Sequence, residues 1–286
     1  MLKELVITAR PTHYTKNLVI FAGLIFANQL FKMDALIKSI ITFIAFSLIS
    51  SAVYFINDWF DRDYDQFHPI KKNRPIAQGK LNLSTVLMTS ISLIFISLLL
   101  LFYFTHKIPV FISIGYILIN VFYSKWLKHI VLLDIFIISI GFILRVVIGA
   151  IAIEVEISDW LLLSVFFLAL LLAASKRRYE YIKFCHEHVN TIRKVIVDYD
   201  INFLNFLISI LAGCTIISYS LYTILNDKYS NMIFTLPLVV YAVVRYLYII
   251  FKNQAGGKLE KELINDKHIL SSVILWGILS ILIIRI

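Results

Sequence analysis

Along the 286-residue chain, long apolar runs alternate with short polar segments. The runs fall at about 17–31, 36–57, 84–104, 108–123, 131–151, 159–175, 202–224, 232–251 and 269–285. A hydrocarbon layer about 30 Å thick takes roughly 20 apolar residues wound as a helix. The pattern therefore predicts an all-α, polytopic membrane protein of nine transmembrane helices, forming one domain over residues 1–286. The polar segments after the second and sixth runs are the longest, and they occupy corresponding places in the two halves.

Composition sharpens this picture. With 60% hydrophobic residues and a mean hydropathy of +0.85, the chain is no ordinary soluble domain. A net charge of +9 invites a nucleic-acid reading. The Lys and Arg residues do not form one patch, however; they sit in alternate loops. Twenty of the 27 lie at 1–16, 58–83, 124–130, 176–201 and 252–268, against five on the other side. That asymmetry predicts that these five segments face the cytoplasm, as in a multi-pass protein of the cell (inner, plasma) membrane. No nucleic-acid partner is expected. Residues 1–16 stay polar for too long to be a cleaved signal. Cys185 and Cys214 lack the spacing of a disulfide framework or zinc site, and Cys185-His186-Glu187-His188 has no ligand-spaced partners elsewhere.

The second run ends in Asn57-Asp58-Trp59-Phe60-Asp61-Arg62-Asp63-Tyr64-Asp65, followed by Lys71, Lys72 and Arg74. Charge at the mouth of a membrane segment is expensive and points to function. At 100° per residue Asp58, Asp61 and Asp65 share one helical face and Asp63 does not. Three carboxylates on one face repel unless a cation lies among them. Hard oxygen ligands suit Mg2+ shared with a substrate phosphate, and the cations that follow suit the phosphate itself. The plainer alternative is an acidic helix end followed by a basic loop.

NDxxDxxxD at this place resembles the first aspartate motif of the UbiA superfamily of intramembrane prenyltransferases. The continuation HPxKxxRPIAxG resembles one branch, the decaprenyl-phosphate phosphoribosyltransferases. The resemblance implies a UbiA-like helical bundle with a cytoplasmic active-site mouth. It implies Mg2+ as cofactor, with phosphoribosyl pyrophosphate and a polyprenyl phosphate lipid as partners. By the same resemblance Lys16 faces the cavity, and Arg193, Tyr199 and Gly256-Gly257 fit the branch.

Ordinary UbiA prenyltransferases carry a second aspartate-rich motif after the sixth run. This chain has Ser175-Lys176-Arg177-Arg178-Tyr179-Glu180 there, which resembles the phosphoribosyl branch. The exchange replaces a metal site by direct cationic binding of phosphate, so Lys176, Arg177 and Glu180 are candidate site residues. A solvated face of i, i+4 pairs is the alternative, and Lys183 and Glu187 belong to it. Arg145 and Arg245 fall inside apolar runs; phosphate binding is the expectation for Arg145, and a structural ion pair is the alternative for both.

The resulting expectation is Mg2+-dependent transfer of 5-phosphoribosyl to a polyprenyl phosphate, for cell-envelope glycan synthesis. Asp58, Asp61 and Asp65 are expected at the metal. Asn57, Lys71, Arg74, Lys176 and Arg177 are expected at ligands and phosphates. A conventional prenyltransferase joining an allylic diphosphate to an aromatic acceptor is the first rival. A transporter lined by Arg145 and Arg245 is the second.

Overall fold

The computed structural model describes residues 1–67, 70–187, 194–226, 229–253 and 265–285, and among them there is no strand. The helices are α1 (Leu2–Ala9), α2 (Ala22–Phe26), α3 (Met33–Asp65), α4 (Leu83–Phe104) and α5 (Lys107–Lys125). They continue with α6 (Leu133–Ala152), α7 (Asp159–Glu187), α8 (Lys194–Val197), α9 (Ile201–Ile224), α10 (Leu236–Asn253) and α11 (Lys267–Arg285). Eight helices among the described residues are long and apolar enough to cross a membrane. The chain forms two compact units: Met1–Ile137 with Leu144–Glu156, and Ile138–Ile143 with Ile157–Ile286.

The expected first crossing, 17–31, is built differently. Pro11–Phe21 is a 3-10 helix, continued by the short α2. The reason lies in its partner, α3. Ser47, Ser51, Tyr54 and Asp58, spaced four, three and four, form one face of α3. The N-terminal segment answers them in reverse order. Asn17 Nδ2 donates to Ser47 Oγ at 2.9 Å, and the Tyr14 hydroxyl meets Ser51 Oγ at 2.8 Å. His13 Nδ1 meets the Tyr54 hydroxyl at 3.3 Å, and Arg10 Nη2 donates to Asp58 Oδ1 at 2.5 Å. At about 2.0 Å per residue a 3-10 helix covers residues 10–17 in about 14 Å. At 1.5 Å per residue α3 covers 47–58 in about 16 Å. The two rungs nearly match, which α-winding on both sides would not allow. Even so wound, 11–26 reaches about 30 Å, the thickness of a hydrocarbon layer.

The deep end of this ladder is clamped by α6. Arg145 Nε donates to Asn17 Oδ1 at 2.7 Å and Nη2 to the Tyr116 hydroxyl at 2.8 Å. One turn on, Gly149 lets the backbones touch: a Cβ there would lie 2.0 Å from the carbonyl oxygen of Ile20. Ile20, Phe46, Ile49, Leu101, Tyr116 and Ile148 belong to one buried apolar cluster of this first unit.

The 33 residues of α3 run about 50 Å, some 20 Å more than the hydrocarbon layer needs, so its acidic turns project beyond it. The loop that follows is seated rather than loose. Ile76 and Leu81 bury against Phe55 and Val86. Asn82 caps α4 by accepting the Thr85 N–H at 2.8 Å.

In the second unit Arg178 ties three helices. Its Nε donates to Asn205 Oδ1 on α9 at 2.6 Å, and its Nη1 to the Ile250 carbonyl on α10 at 3.1 Å. Deeper in, the Tyr219 hydroxyl meets Thr235 Oγ1 at 2.6 Å and accepts from Trp276 Nε1 at 2.7 Å.

Candidate active site

The acidic turns of α3 fold as their spacing predicts. Asp58, Asp61 and Asp65 are buried, whereas the Asp63 side chain is 76% exposed beside Arg62. Burial of three carboxylates requires compensation, and cations supply it from three segments of the first unit.

Arg74 comes from the loop after α3. Pro75 behind it restricts Arg74 to extended backbone, observed at φ −67°, ψ 138°. That geometry turns the side chain back onto α3, where Nη1 donates to Asp58 Oδ1 at 3.0 Å and Asp65 Oδ2 at 2.6 Å. Lys71 Nζ stands 4.0 Å from Asp65 Oδ1.

Arg10 arrives from the other side. It terminates α1 in the left-handed region, at φ 52°. A side chain rarely adopts that conformation without compensation. Here the Asp58 bond and a 4.7 Å stack on Tyr54 provide it.

Asp61 faces a third source. Lys128, itself buried in the turn after α5, donates to Asp61 Oδ1. Asn57 Nδ2 donates to Asp61 Oδ2 at 3.2 Å, and Ser124 Oγ in turn donates to Asn57 Oδ1 at 3.0 Å. Asp61 is thus bound by a different pair of groups from Asp58 and Asp65.

Of the residues expected at the site from the sequence, the structure brings Asn57, Asp58, Asp61, Asp65, Lys71 and Arg74 together. Sequence reasoning missed Arg10 and Lys128, which close on the carboxylates only through the fold. Lys16 is half-buried, and Asn17 beside it is the residue on the α3 ladder. Arg145 belongs to the Ser47 level, about 16 Å along α3 from Asp58, where it also stacks on Phe46 and Tyr116.

In the second unit Lys176 is exposed, while its neighbour Arg177 is among the largest fully buried side chains. Arg177 Nη1 donates to Glu180 Oε2 at 2.6 Å. Tyr199 is buried. Arg193, Gly256, Gly257 and His188 lie outside the described residues. Arg245 is settled as an ion pair: its Nη2 donates to Asp266 Oδ2 at 2.9 Å, at the start of α11.

Among the described residues no three His, Cys, Asp or Glu side chains gather as a ready metal cage. The donor set nevertheless fits a hard divalent cation. Asp58 Oδ1 and Asp65 Oδ2 share one Arg74 nitrogen, so they stand no more than 5.6 Å apart, the sum of those two bonds. A positive group already bridges the two carboxylates, and all the donors are oxygen, which suits Mg2+.

A model of the UbiA prenyltransferase family matches residues 18–259. A decaprenyl-phosphate phosphoribosyltransferase of Corynebacterium glutamicum is 30% identical over 277 residues, covering 93% of this chain and 82% of that protein. One of Mycolicibacterium smegmatis is 29% identical over 236 residues, covering 81% of this chain and 74% of that protein. Among solved structures, a UbiA homolog from Archaeoglobus fulgidus bound to GPP and Mg2+ superposes with a TM-score of 0.75. It covers 99% of this chain and 100% of that one at 17% identity, a likeness of fold.

Proposed function

The chain belongs to the UbiA prenyltransferase family, and from that premise we propose that it is a polyprenyl-phosphate phosphoribosyltransferase. It moves 5-phosphoribosyl from phosphoribosyl pyrophosphate to a polyprenyl phosphate and releases pyrophosphate. One observation carries the choice within the family. On α7 the fully buried charged side chain is Arg177, paired with Glu180, and among the described residues of that segment there is no aspartate cluster. A second anion bound directly suits a donor that carries a 5-phosphate besides its leaving group. The relatives from Corynebacterium glutamicum and Mycolicibacterium smegmatis, aligned over most of the chain, support the same reading.

In the reaction the bond from the anomeric carbon to the pyrophosphate oxygen breaks. A new bond forms from that carbon to a phosphate oxygen of the lipid. The lipid oxygen is already anionic at neutral pH, so no strong general base is required. The work left to the protein is alignment and charge stabilisation around an oxocarbenium-like centre.

The carboxylate layer has the charge for this. Three carboxylates, Asp58, Asp61 and Asp65, meet four cations, Arg10, Lys71, Arg74 and Lys128, a net of one positive charge. Asp58 and Asp65 hold Mg2+ in this reading, with Asp61 and Asn57 beside them. When bound, the ion supplies Lewis-acid stabilisation of the leaving oxygens. Arg10, Arg74, Lys71 and Lys128 orient the phosphates and neutralise their charge, Arg by paired donors and Lys as a point charge. In the second unit Arg177, held by Glu180, is a cation suited to an anion such as a phosphate. Arg145 holds Asn17 and so seats Arg10. The basic-residue asymmetry supports the cytoplasmic face of the cell membrane as the side of this chemistry. There the product would feed the synthesis of lipid-linked sugars for the cell envelope.

The test is pyrophosphate release by the purified protein in detergent with Mg2+. Release from phosphoribosyl pyrophosphate should require polyprenyl phosphate. Release independent of the lipid, or none, would count against the proposal.

A further inference from the structure

We propose that α10 and the start of α11 form a headgroup site for an anionic phospholipid of the surrounding bilayer, built on Arg245, Tyr248 and Lys252. Tyr241, Arg245, Tyr248 and Lys252 follow one another at spacings of four, three and four, and so share one stripe of α10. Two cations use one ring. The Arg245 guanidinium lies 5.3 Å and the Lys252 ammonium 5.0 Å from the centroid of Tyr248. Lys252 Nζ also donates to the Tyr248 hydroxyl at 2.5 Å. Tyr248 is 47% exposed and Lys252 beside it is exposed, as are Lys267 and His268 in the first turn of α11.

Depth identifies the occupant. The 19 residues of α11 run about 28 Å, close to the hydrocarbon thickness, so its first turn marks one edge of that layer. Two contacts set that turn level with the stripe. Arg245 donates to Asp266 at 2.9 Å, and the Tyr241 hydroxyl meets His268 Nδ1 at 3.2 Å. Tyr248 lies three residues nearer the end of α10, about 4.5 Å farther out, and the Lys252 ammonium reaches back to its hydroxyl. The headgroup zone is about 5–7 Å deep on each side. Aromatic and basic side chains concentrate at that depth.

Charge agrees with depth. Arg245, Lys252 and Lys267 against Asp266 leave two positive charges in excess among these groups. A lipid phosphate complements that excess, whereas a zwitterionic headgroup brings its own cation. Asp266 holds Arg245 through Nε and Nη2, which fixes the plane of the guanidinium along α10. None of these residues takes part in the chemistry proposed above.

Purified full-length protein, stripped of lipid in neutral detergent, would be titrated with phosphatidylglycerol or phosphatidylcholine of the same acyl chains. Bound lipid would be counted by native mass spectrometry. Phosphatidylglycerol should be retained more than about tenfold better, and Lys252→Gln should weaken that binding about fivefold, as for one cation near an anionic headgroup. Tyr248→Leu should weaken it too, since both cations rest on that ring. Lys38→Gln, in the first turns of α3, should change nothing. Equal retention of the two lipids, or an equal loss in Lys38→Gln, would overturn the proposal. Displacement of the lipid by millimolar inorganic phosphate would overturn it as well, marking a site for a soluble anion.

Discussion

Asp58 and Asp65, two turns apart on α3, are joined by a single nitrogen of Arg74, at 3.0 and 2.6 Å. Asp61, between them in sequence, is instead held by Lys128 and Asn57. The acidic face is therefore two charge-compensated sets.

The division gives the two sets different consequences for stability. Lys128 is buried, so Asp61→Asn leaves an ammonium without its counter-charge and should destabilise the fold by about 3–5 kcal/mol. Asp63→Asn should stay within about 0.5 kcal/mol of the parent. Thermal melts in one detergent decide this. Asp61→Asn/Lys128→Met should recover much of the lost stability and none of the turnover. For Asp58→Asn, turnover should fall more than about a hundredfold, beyond the loss usual for an outer-shell change. Equal losses at Asp58, Asp61 and Asp63 would show that the shared face has no special role.

The ladder between the N-terminal segment and α3 gives a second expectation. Asn17→Ala removes the acceptor for a buried guanidinium and should lower stability by about 1.5–3 kcal/mol. Lys16→Ala should have a smaller effect on melting. Gly149→Ala should be worse than either, since its methyl would meet the Ile20 carbonyl backbone, whereas Gly213→Ala meets nothing within 4 Å and should melt like the parent. Chemical denaturation of the four variants ranks them directly.

Much of this was legible beforehand. The carboxylate face followed from 100° steps along α3; the seating of the loop after it, through Ile76 and Leu81 against Phe55 and Val86, did not. Nor was the 3-10 winding of 11–21 legible, because an apolar run of that length reads equally as α-helix. Its signal was the serine-rich face of α3: Ser47, Ser51 and Tyr54 at helical spacing, in a run otherwise suited to lipid, require a polar partner. Arg10 and Lys128 were visible as loop cations, but their nearness to Asp58 and Asp61 depends on tertiary contacts separated by 48 and 67 residues. Arg245 looked mid-span because the run around it is continuous; its depth is set by where α11 begins.

Acid should loosen the α10–α11 junction. The hydrogen bond from Arg245 holds the Asp266 carboxyl below its ordinary value, with help from the Ile269 and His268 N–H groups and against some desolvation. A carboxyl depressed in the folded state binds its proton more readily when unfolded. Its contribution is complete above the unfolded value of about 3.9 and is lost as pH falls through the folded value. The melting temperature of the parent should drop toward that of Asp266→Asn below about pH 4, with the gap largest at neutral pH. Melting curves of the two proteins from pH 3 to 7 test the sign.

Neighbouring cations on α7 should behave unequally. Arg177 is fully buried and paired with Glu180, and Lys176 is exposed. Arg177→Ala should reduce kcat/KM for phosphoribosyl pyrophosphate by about 1.5–3 kcal/mol, the value of a charge-assisted hydrogen bond. Lys176→Ala should lose less, and neither should shift the Mg2+ dependence. Steady-state kinetics at varied Mg2+ separate these effects.

The most direct measurement is the mass of the lipid product. Purified protein would be incubated with Mg2+ and polyprenyl phosphate plus phosphoribosyl pyrophosphate, and in parallel with GPP plus a small aromatic acid. The account predicts that the lipid phosphate gains one 5-phosphoribosyl group in the first mixture and that the aromatic acid stays unmodified in the second. Prenylation of the aromatic acid with no phosphoribosylated lipid would contradict it.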